Sequence, residues 1–171
     1  LNEALAVFGL RMVQIYGQGE SPMTITYLAK HQHQGLAQFS NAESDSGSPL
    51  LPVGQSHPQL GVTVQDKGEI CVRGDTVMSG YWNNPEANQA TLNDGWLHTG
   101  DIGYVDAHGF LYLTDRLKDV IISGGTNIYP REVEEVVLQY PGIKEVSVVG
   151  QRDDAWGEVV IAFLPFQNGA V

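Results

Sequence analysis

The sequence predicts an α+β chain, with a strand-rich first part forming a small twisted sheet or barrel and the start of a smaller α+β domain after it. Three observations lead there. Short strand-like runs (LGVTV, GEICVRG, WLHTG, IGYVD, FLYLTD and DVIIS) follow one another from Leu60 to Ser123, punctuated by DKG and DAHG turns. After Ser123 the apolar period becomes helical, with Val133, Val136, Val137 and Tyr140 at i, i+3, i+4 and i+7. Two more strand-like runs, KEVSVVG and GEVVIAFLPF, then flank the polar turn RDDAWG.

Taken in order, Leu1 to Phe8 reads as the tail of a helix that Gly9 stops. RMVQIY reads as a strand running into the Gly-rich turn of YGQGE. Ser40 to Pro49 mixes Ser, Asn, Asp and Gly without periodicity and reads as a surface loop. In NNPEANQATL, Asn84 suits an N-cap, Pro85 the first helical position and Glu86 the first turn, which together predict a short helix. Pro130 opens the second helix, Glu132, Glu134 and Glu135 favour its positive end, and Pro141 and Gly142 stop it. The division falls near Arg116 to Asp119: residues 1–115 form the first part, 116–119 a hinge and 120–171 the start of the second.

Composition narrows the function classes. The chain has 171 residues, 42% hydrophobic, enough for one core or part of a larger one. Nine Lys and Arg against 20 Asp and Glu give a net charge of -11, which opposes nucleic-acid or anionic-membrane binding, and there is no basic run. No apolar run approaches the ~20 residues of a membrane span, and no signal peptide is visible. The lone Cys71 lies in an alternating strand, where a small buried hydrophobe is the simpler reading and a reactive thiol the alternative. A reducing, cytoplasmic enzyme fits best. The chain opens inside a helix and stops soon after a strand, as a piece of a longer protein would.

Several side chains could carry chemistry. Glu20, after a strand and a Gly-rich turn, could hold a hard cation such as Mg²⁺, although such a residue is more often simply solvated. Asp101, read as the end of a strand, could accept both hydroxyls of a ribose or merely cap a turn. Arg116 would offer a planar donor fork, and Lys118 is by itself an ordinary exposed lysine in a charged turn. His98 is expected to pack rather than transfer a proton. His31 and His33, two residues apart, would share a strand face, but an exposed polar loop is favoured over a metal site. Gly124 and Gly125 make a flexible bend or a place of close approach. Tyr81 and Trp82 are assigned to packing, and Leu113 is an inward strand residue.

YGQGE at Tyr16 to Glu20, LHTGD ending at Asp101 and DRLKDVIISGGTNIYPREVEE from Asp115 to Glu135 stand in order along the chain. Together they resemble the adenylate-forming superfamily, and within it the acyl-CoA and aryl-CoA synthetases, over roughly Leu5 to Leu164. The resemblance implies the distal part of the large adenylating domain followed by the start of the small C-terminal lid. It implies an ATP-dependent acid–CoA ligase using MgATP, a fatty or aromatic carboxylic acid and coenzyme A; a homo-oligomer is compatible with it.

By the same resemblance, Glu20 helps bind magnesium, Tyr16 stacks on adenine, Gln14 lies beside the adenine edge and Gly17 lines the acyl pocket. Asp101 and Arg116 serve the ribose and phosphate, Leu113 packs on the nucleoside, Gly124 and Gly125 approach the pantetheine arm, and Lys118 is the pivot. Gly19 stands where the commoner pattern has a Thr whose hydroxyl contacts the adenylate phosphate. The segment between LGVTVQ and GEICV is shorter than the family's usual hairpin. The Ser/Thr/Gly-rich phosphate loop ending in Lys and the near-terminal catalytic lysine are not in this sequence, so the chain alone is expected to be inactive. SGGTNIYPREVE favours a CoA ligase over a peptide-synthetase module or a luciferase. A fatty acyl-AMP ligase parent, or a non-catalytic binding or oligomerisation fragment, remain the alternatives.

Overall fold

The computed structural model describes residues 6–35 and 51–165. The loop expected at Ser40 to Pro49 lies outside the described residues, as does the helix tail before Ala6. The chain divides into two compact units, with the break between Leu113 and Thr114.

The first unit begins with β1 (Gln14–Gln18) and β2 (Ser21–Leu28), then a 3-10 turn at Lys30–Gly35. After residue 51 come β3 (Gly54–Ser56), β4 (Gly61–Val64), β5 (Glu69–Arg73), helix α1 (Pro85–Thr91), β6 (Leu92–Asn93), β7 (Trp96–Val105) and β8 (Phe110–Arg116), whose residues from Thr114 onward already count to the second unit. They form one sheet in the order β1-β2-β3-β8-β7-β5-β4, with β6 also on β7. The two predicted runs WLHTG and IGYVD are thus one strand, β7, and Asp101 sits inside it rather than at its end.

Ile25 of β2 shares one buried cluster with Ile70 and Val72 of β5, Leu97 of β7 and Leu111 of β8. Three strands separate β2 from β5 in the sheet order, so the sheet must curl to bring these side chains together. That curl is the barrel-like feature the strand density predicts. Each of these side chains contributes about 1.5–3 kcal/mol through burial. A second cluster joins Leu28, Phe110 and Tyr112, where Tyr104 stacks on Tyr112 at 4.8 Å.

β5 and β7 pair with a fault. Cys71 faces His98 and Glu69 faces Ile102, so two steps along β5 correspond to four along β7. Thr99 to Asp101 stand against Ile70 alone and make a bulge with two extra residues, which Gly100 turns with φ +70°.

In the second unit, β9 (Ile121–Ser123) and β10 (Thr126–Ile128) form a hairpin, helix α2 (Pro130–Leu138) follows, and β11 (Ser147–Asp153) pairs with β12 (Gly157–Phe163). The sheet order is β10-β9-β12-β11. Glu134 of α2 accepts a hydrogen bond from the Val148 N–H at 2.8 Å, tying the helix to β11. The predicted apolar stripe is narrower than expected. Gln139 and Tyr140 bond back to the carbonyls of Val136 and Val137, which tightens the helix end and leaves Tyr140 71% exposed.

Candidate functional site

The β1 side chains alternate, so Gln14, Tyr16 and Gln18 share the half-buried face while Ile15 and Gly17 face outward. Two of the three converge on one carboxylate. The Tyr16 hydroxyl donates to Asp101 Oδ2 at 2.6 Å, and Gln18 Nε2 donates to the same oxygen at 2.8 Å and to the Thr99 carbonyl at 2.9 Å. Asp101 is only 5% exposed. A buried carboxylate needs such donors, since an unpartnered charge there is costly. Oδ2 of Asp101 thus already serves two donors. Gln18, absent from the expected site, is the residue sequence reasoning missed; its signal was the period-two spacing from Tyr16.

The bulge that carries Asp101 is held from β5. Thr99 Oγ1 donates to the Ile70 carbonyl at 2.7 Å and accepts from the Asp101 N–H at 3.1 Å. Glu69 Oε1 accepts from the Gly100 N–H at 3.0 Å, while Glu69 Oε2 lies 2.9 Å from His98 Nδ1. His98 is therefore not a mere packing residue, because its ring is engaged by a carboxylate. Cys71 is fully buried, as expected, with Sγ 3.6 Å from the same nitrogen. Burial, then the charge of Glu69, pushes its thiol up to about 11. Glu69, Cys71 and His98 offer ligand atoms within 4.8 Å of one another, a donor set that suits a cation such as zinc. Here those atoms already bond to one another and to Gly100.

Glu20, in the turn between β1 and β2, accepts a 2.5 Å hydrogen bond from the Tyr81 hydroxyl. That bond, followed by burial, raises the Tyr81 pKa. The assignment of Tyr81 to packing is corrected, and Trp82, 97% exposed, does not pack at all. The Met78 N–H donates to the Glu20 carbonyl at 2.8 Å, and Ser21 meets Thr76 at 3.0 Å, so the turn is fastened to the segment before α1. Asn88 of α1 holds Tyr81 through both backbone groups, at 2.5 and 3.1 Å. Gly19 has open space where a Cβ would stand.

His31 and His33 lie in the 3-10 turn, not on a strand. His31 is exposed, but His33 is 6% exposed with neither ring nitrogen hydrogen-bonded among the described residues, which overturns the exposed-loop expectation for it. Leu113 packs against the main core, as read.

Arg116 and Lys118 belong to the second unit and are exposed. Asp115 accepts from the Arg116 N–H at 2.7 Å and from the Arg131 N–H at 3.3 Å. Lys118 sits in the turn that the Asp119 N–H closes onto the Arg116 carbonyl. Gly124 and Gly125 are the two central residues of the β9–β10 turn, with φ +56° and +83°. The close neighbour of Gly124 is this chain's own Trp156, whose carbonyl accepts from the Gly124 N–H at 2.8 Å and whose ring would lie 2.8 Å from a Cβ there, whereas a Cβ at Gly125 would meet nothing within 4 Å.

Residues 132–171 match the AMP-binding enzyme C-terminal domain. Over 99% of its length the chain is 43% identical to a medium/long-chain-fatty-acid–CoA ligase, FadD8, of Mycobacterium tuberculosis, covering 29% of that protein. It is also 43% identical over its whole length to a 2-succinylbenzoate–CoA ligase of Bacillus cereus, covering 34% of it. Among solved structures, 99% of the chain matches 34% of o-succinylbenzoate CoA synthetase (MenE) from Bacillus subtilis, in complex with the acyl-adenylate OSB-AMP, at 34% identity and a TM-score of 0.77. Over nearly its whole length the chain is similar to adenylate-forming enzymes. Its strand-rich first unit and α+β second unit are those of an adenylate-forming enzyme. The chain spans about a third of the length of the curated relatives it matches.

Proposed function

We propose that the protein carrying this chain is an AMP-forming acid–CoA ligase. A carboxylate oxygen attacks the α-phosphorus of ATP and pyrophosphate leaves; the CoA sulfur then attacks the acyl carbon, its proton is lost and AMP leaves. Neither step needs a nucleophile from the protein, so the protein's work is positioning and charge neutralisation. The observation that carries the reading is the convergence of Tyr16 and Gln18 on buried Asp101, in a chain 43% identical to two CoA ligases.

In this reading Asp101 receives the ribose hydroxyls, which replace one or both of its present donors. Tyr16 and Gln14 border the adenine, Leu113 packs on the nucleoside, Gly17 lines the acyl pocket and Arg116 meets the ribose or α-phosphate. Gly19 leaves the phosphate contact to a backbone N–H. Glu20 is the residue that would hold Mg²⁺, through a carboxylate that the Tyr81 hydroxyl orients. When bound, the ion supplies charge neutralisation at the phosphates. Residues 116–119, around Lys118, form the hinge, and Gly124 and Gly125 lie along the path of the pantetheine arm. The acid is a fatty or aromatic carboxylate, consistent with the relatives' names, and a cytoplasmic place suits the buried, unpaired Cys71. No helix among the described residues is long and apolar enough to cross a membrane.

The test is acid-dependent ATP–pyrophosphate exchange and thioester formation by the full-length protein across a panel of fatty and aromatic acids. Exchange with thioester formation is expected. Exchange without thioester, CoA being present, would assign a fatty acyl-AMP ligase instead, and no exchange with any acid would overturn the reading.

A further inference from the structure

A bulge removes backbone partners from the strand that forms it, and the groups it frees must be satisfied by something else. In β7 the freed group next to Asp101 is the Gly100 N–H, and its acceptor is a side chain: Glu69 Oε1 at 3.0 Å. The second oxygen of Glu69 is fixed by His98 at 2.9 Å, so the carboxylate cannot rotate away from Gly100 without losing its other partner. Glu69 is partly buried, and its own backbone position faces Ile102, the residue after Asp101. One side chain therefore grips the bulge just before Asp101 while its backbone aligns with the residue just after.

We propose that Glu69, oriented by His98, is a positioning residue for nucleotide binding: it sets the Thr99–Asp101 bulge and thereby the angle at which Asp101 meets a sugar hydroxyl. This rests on the reading of Asp101 as the ribose ligand. Glu69 itself touches no nucleotide. Its effect falls mainly on the part of binding that depends on the ribose hydroxyls, because Asp101 is the group that meets them; Tyr16 and Gln18 of β1 feel it only through their bonds to the same bulge. Cys71, though close to His98, has no part in it.

Binding of AMP and 2′-deoxy-AMP to the full-length protein, measured by calorimetry, separates the possibilities, since the two probes differ only in one hydroxyl. Asp101→Ala is the control for the reading beneath: it should abolish the preference for AMP. If Asp101→Ala keeps that preference, the ribose assignment fails, and the positioning role with it. If the control behaves as expected, Glu69→Ala should weaken AMP by about tenfold or more, the scale of a lost hydrogen bond to a charged group, and should weaken 2′-deoxy-AMP clearly less, since that probe keeps only the 3′ hydroxyl for Asp101 to meet. Glu69→Gln, which can still accept from Gly100 and meet His98, should restore the preference. Should Glu69→Ala not fold, Glu69→Asp withdraws both oxygens by one carbon and should lose the preference in the same sense. A general loss of stability would weaken both probes alike and overturn the proposal. So would a full AMP preference in Glu69→Ala, or its loss in Cys71→Ala, which would assign the trio to a bound metal ion.

Discussion

At Gly19 the chain lacks a side chain that it has room for: nothing lies within 4 Å of the position of a Cβ, and the backbone is not in the left-handed region. Gly19→Thr should therefore cost no more than about 0.5 kcal/mol of stability in chemical denaturation, the range of an unobstructed surface change. If the hydroxyl reaches the adenylate phosphate, AMP binding will tighten; weaker binding would mean that the turn itself needs glycine. Cys71 makes the opposite case, a side chain with no room to react. With its pKa near 11, it stays a thiol at pH 8, and iodoacetamide should label it only after unfolding, as mass spectrometry would show. Because the folded value is raised from 9.0, its contribution to stability is intact below pH 9 and is lost as pH climbs toward 11. Cys71→Ala should flatten that alkaline loss in denaturation curves taken at pH 8 and pH 10.

Among the elements, α1 is seven residues long and contains no buried residue, so hydrophobic packing does not account for its place. It holds Tyr81 instead, through the amide of Asn88, and Tyr81 in turn holds Glu20. Asn88→Ala should destabilise the first unit by about 1–3 kcal/mol by orphaning partly buried backbone groups, and should raise the Mg²⁺ concentration needed for half-maximal activity. Unchanged Mg²⁺ dependence would separate α1 from Glu20. This chain of holding was not legible in the sequence, because Glu20 and Tyr81 are 61 residues apart and only the fold joins them. Many of the strands, the two helices and their opening prolines were legible, since apolar period and capping chemistry are local, whereas β2, β3, β6 and β10 were not read as strands. Asp101 and Glu20 were legible as motif residues. The bulge was not: WLHTG and IGYVD read as two strands because Gly100 and Asp101 look like a break, whereas β5 supplies a carboxylate that carries the strand across it.

For the whole molecule, the break between compact units falls between Leu113 and Thr114, a few residues before the proposed hinge at 116–119. The turn at Leu117–Asp119 is exposed, and its one backbone bond runs from Asp119, so a proline at 118 breaks no hydrogen bond described there. It does fix φ near -65°. Lys118→Pro in the full-length protein should leave pyrophosphate exchange within about twofold and slow thioester formation by tenfold or more, as hinge variants that trap one orientation do. Equal loss of both half-reactions, or of neither, would place the hinge elsewhere.

The contact between Trp156 and Gly124 gives the second unit a light source of its own. The indole, 61% exposed, already borders the glycine turn, so anything thin that enters there must change the water around the ring. With Trp82, Trp96 and any tryptophan outside these 171 residues replaced by Phe, the emission of Trp156 becomes a private signal for that turn. CoA added to such a full-length protein should shift that emission saturably, whereas a flat titration would send the thiol by another route.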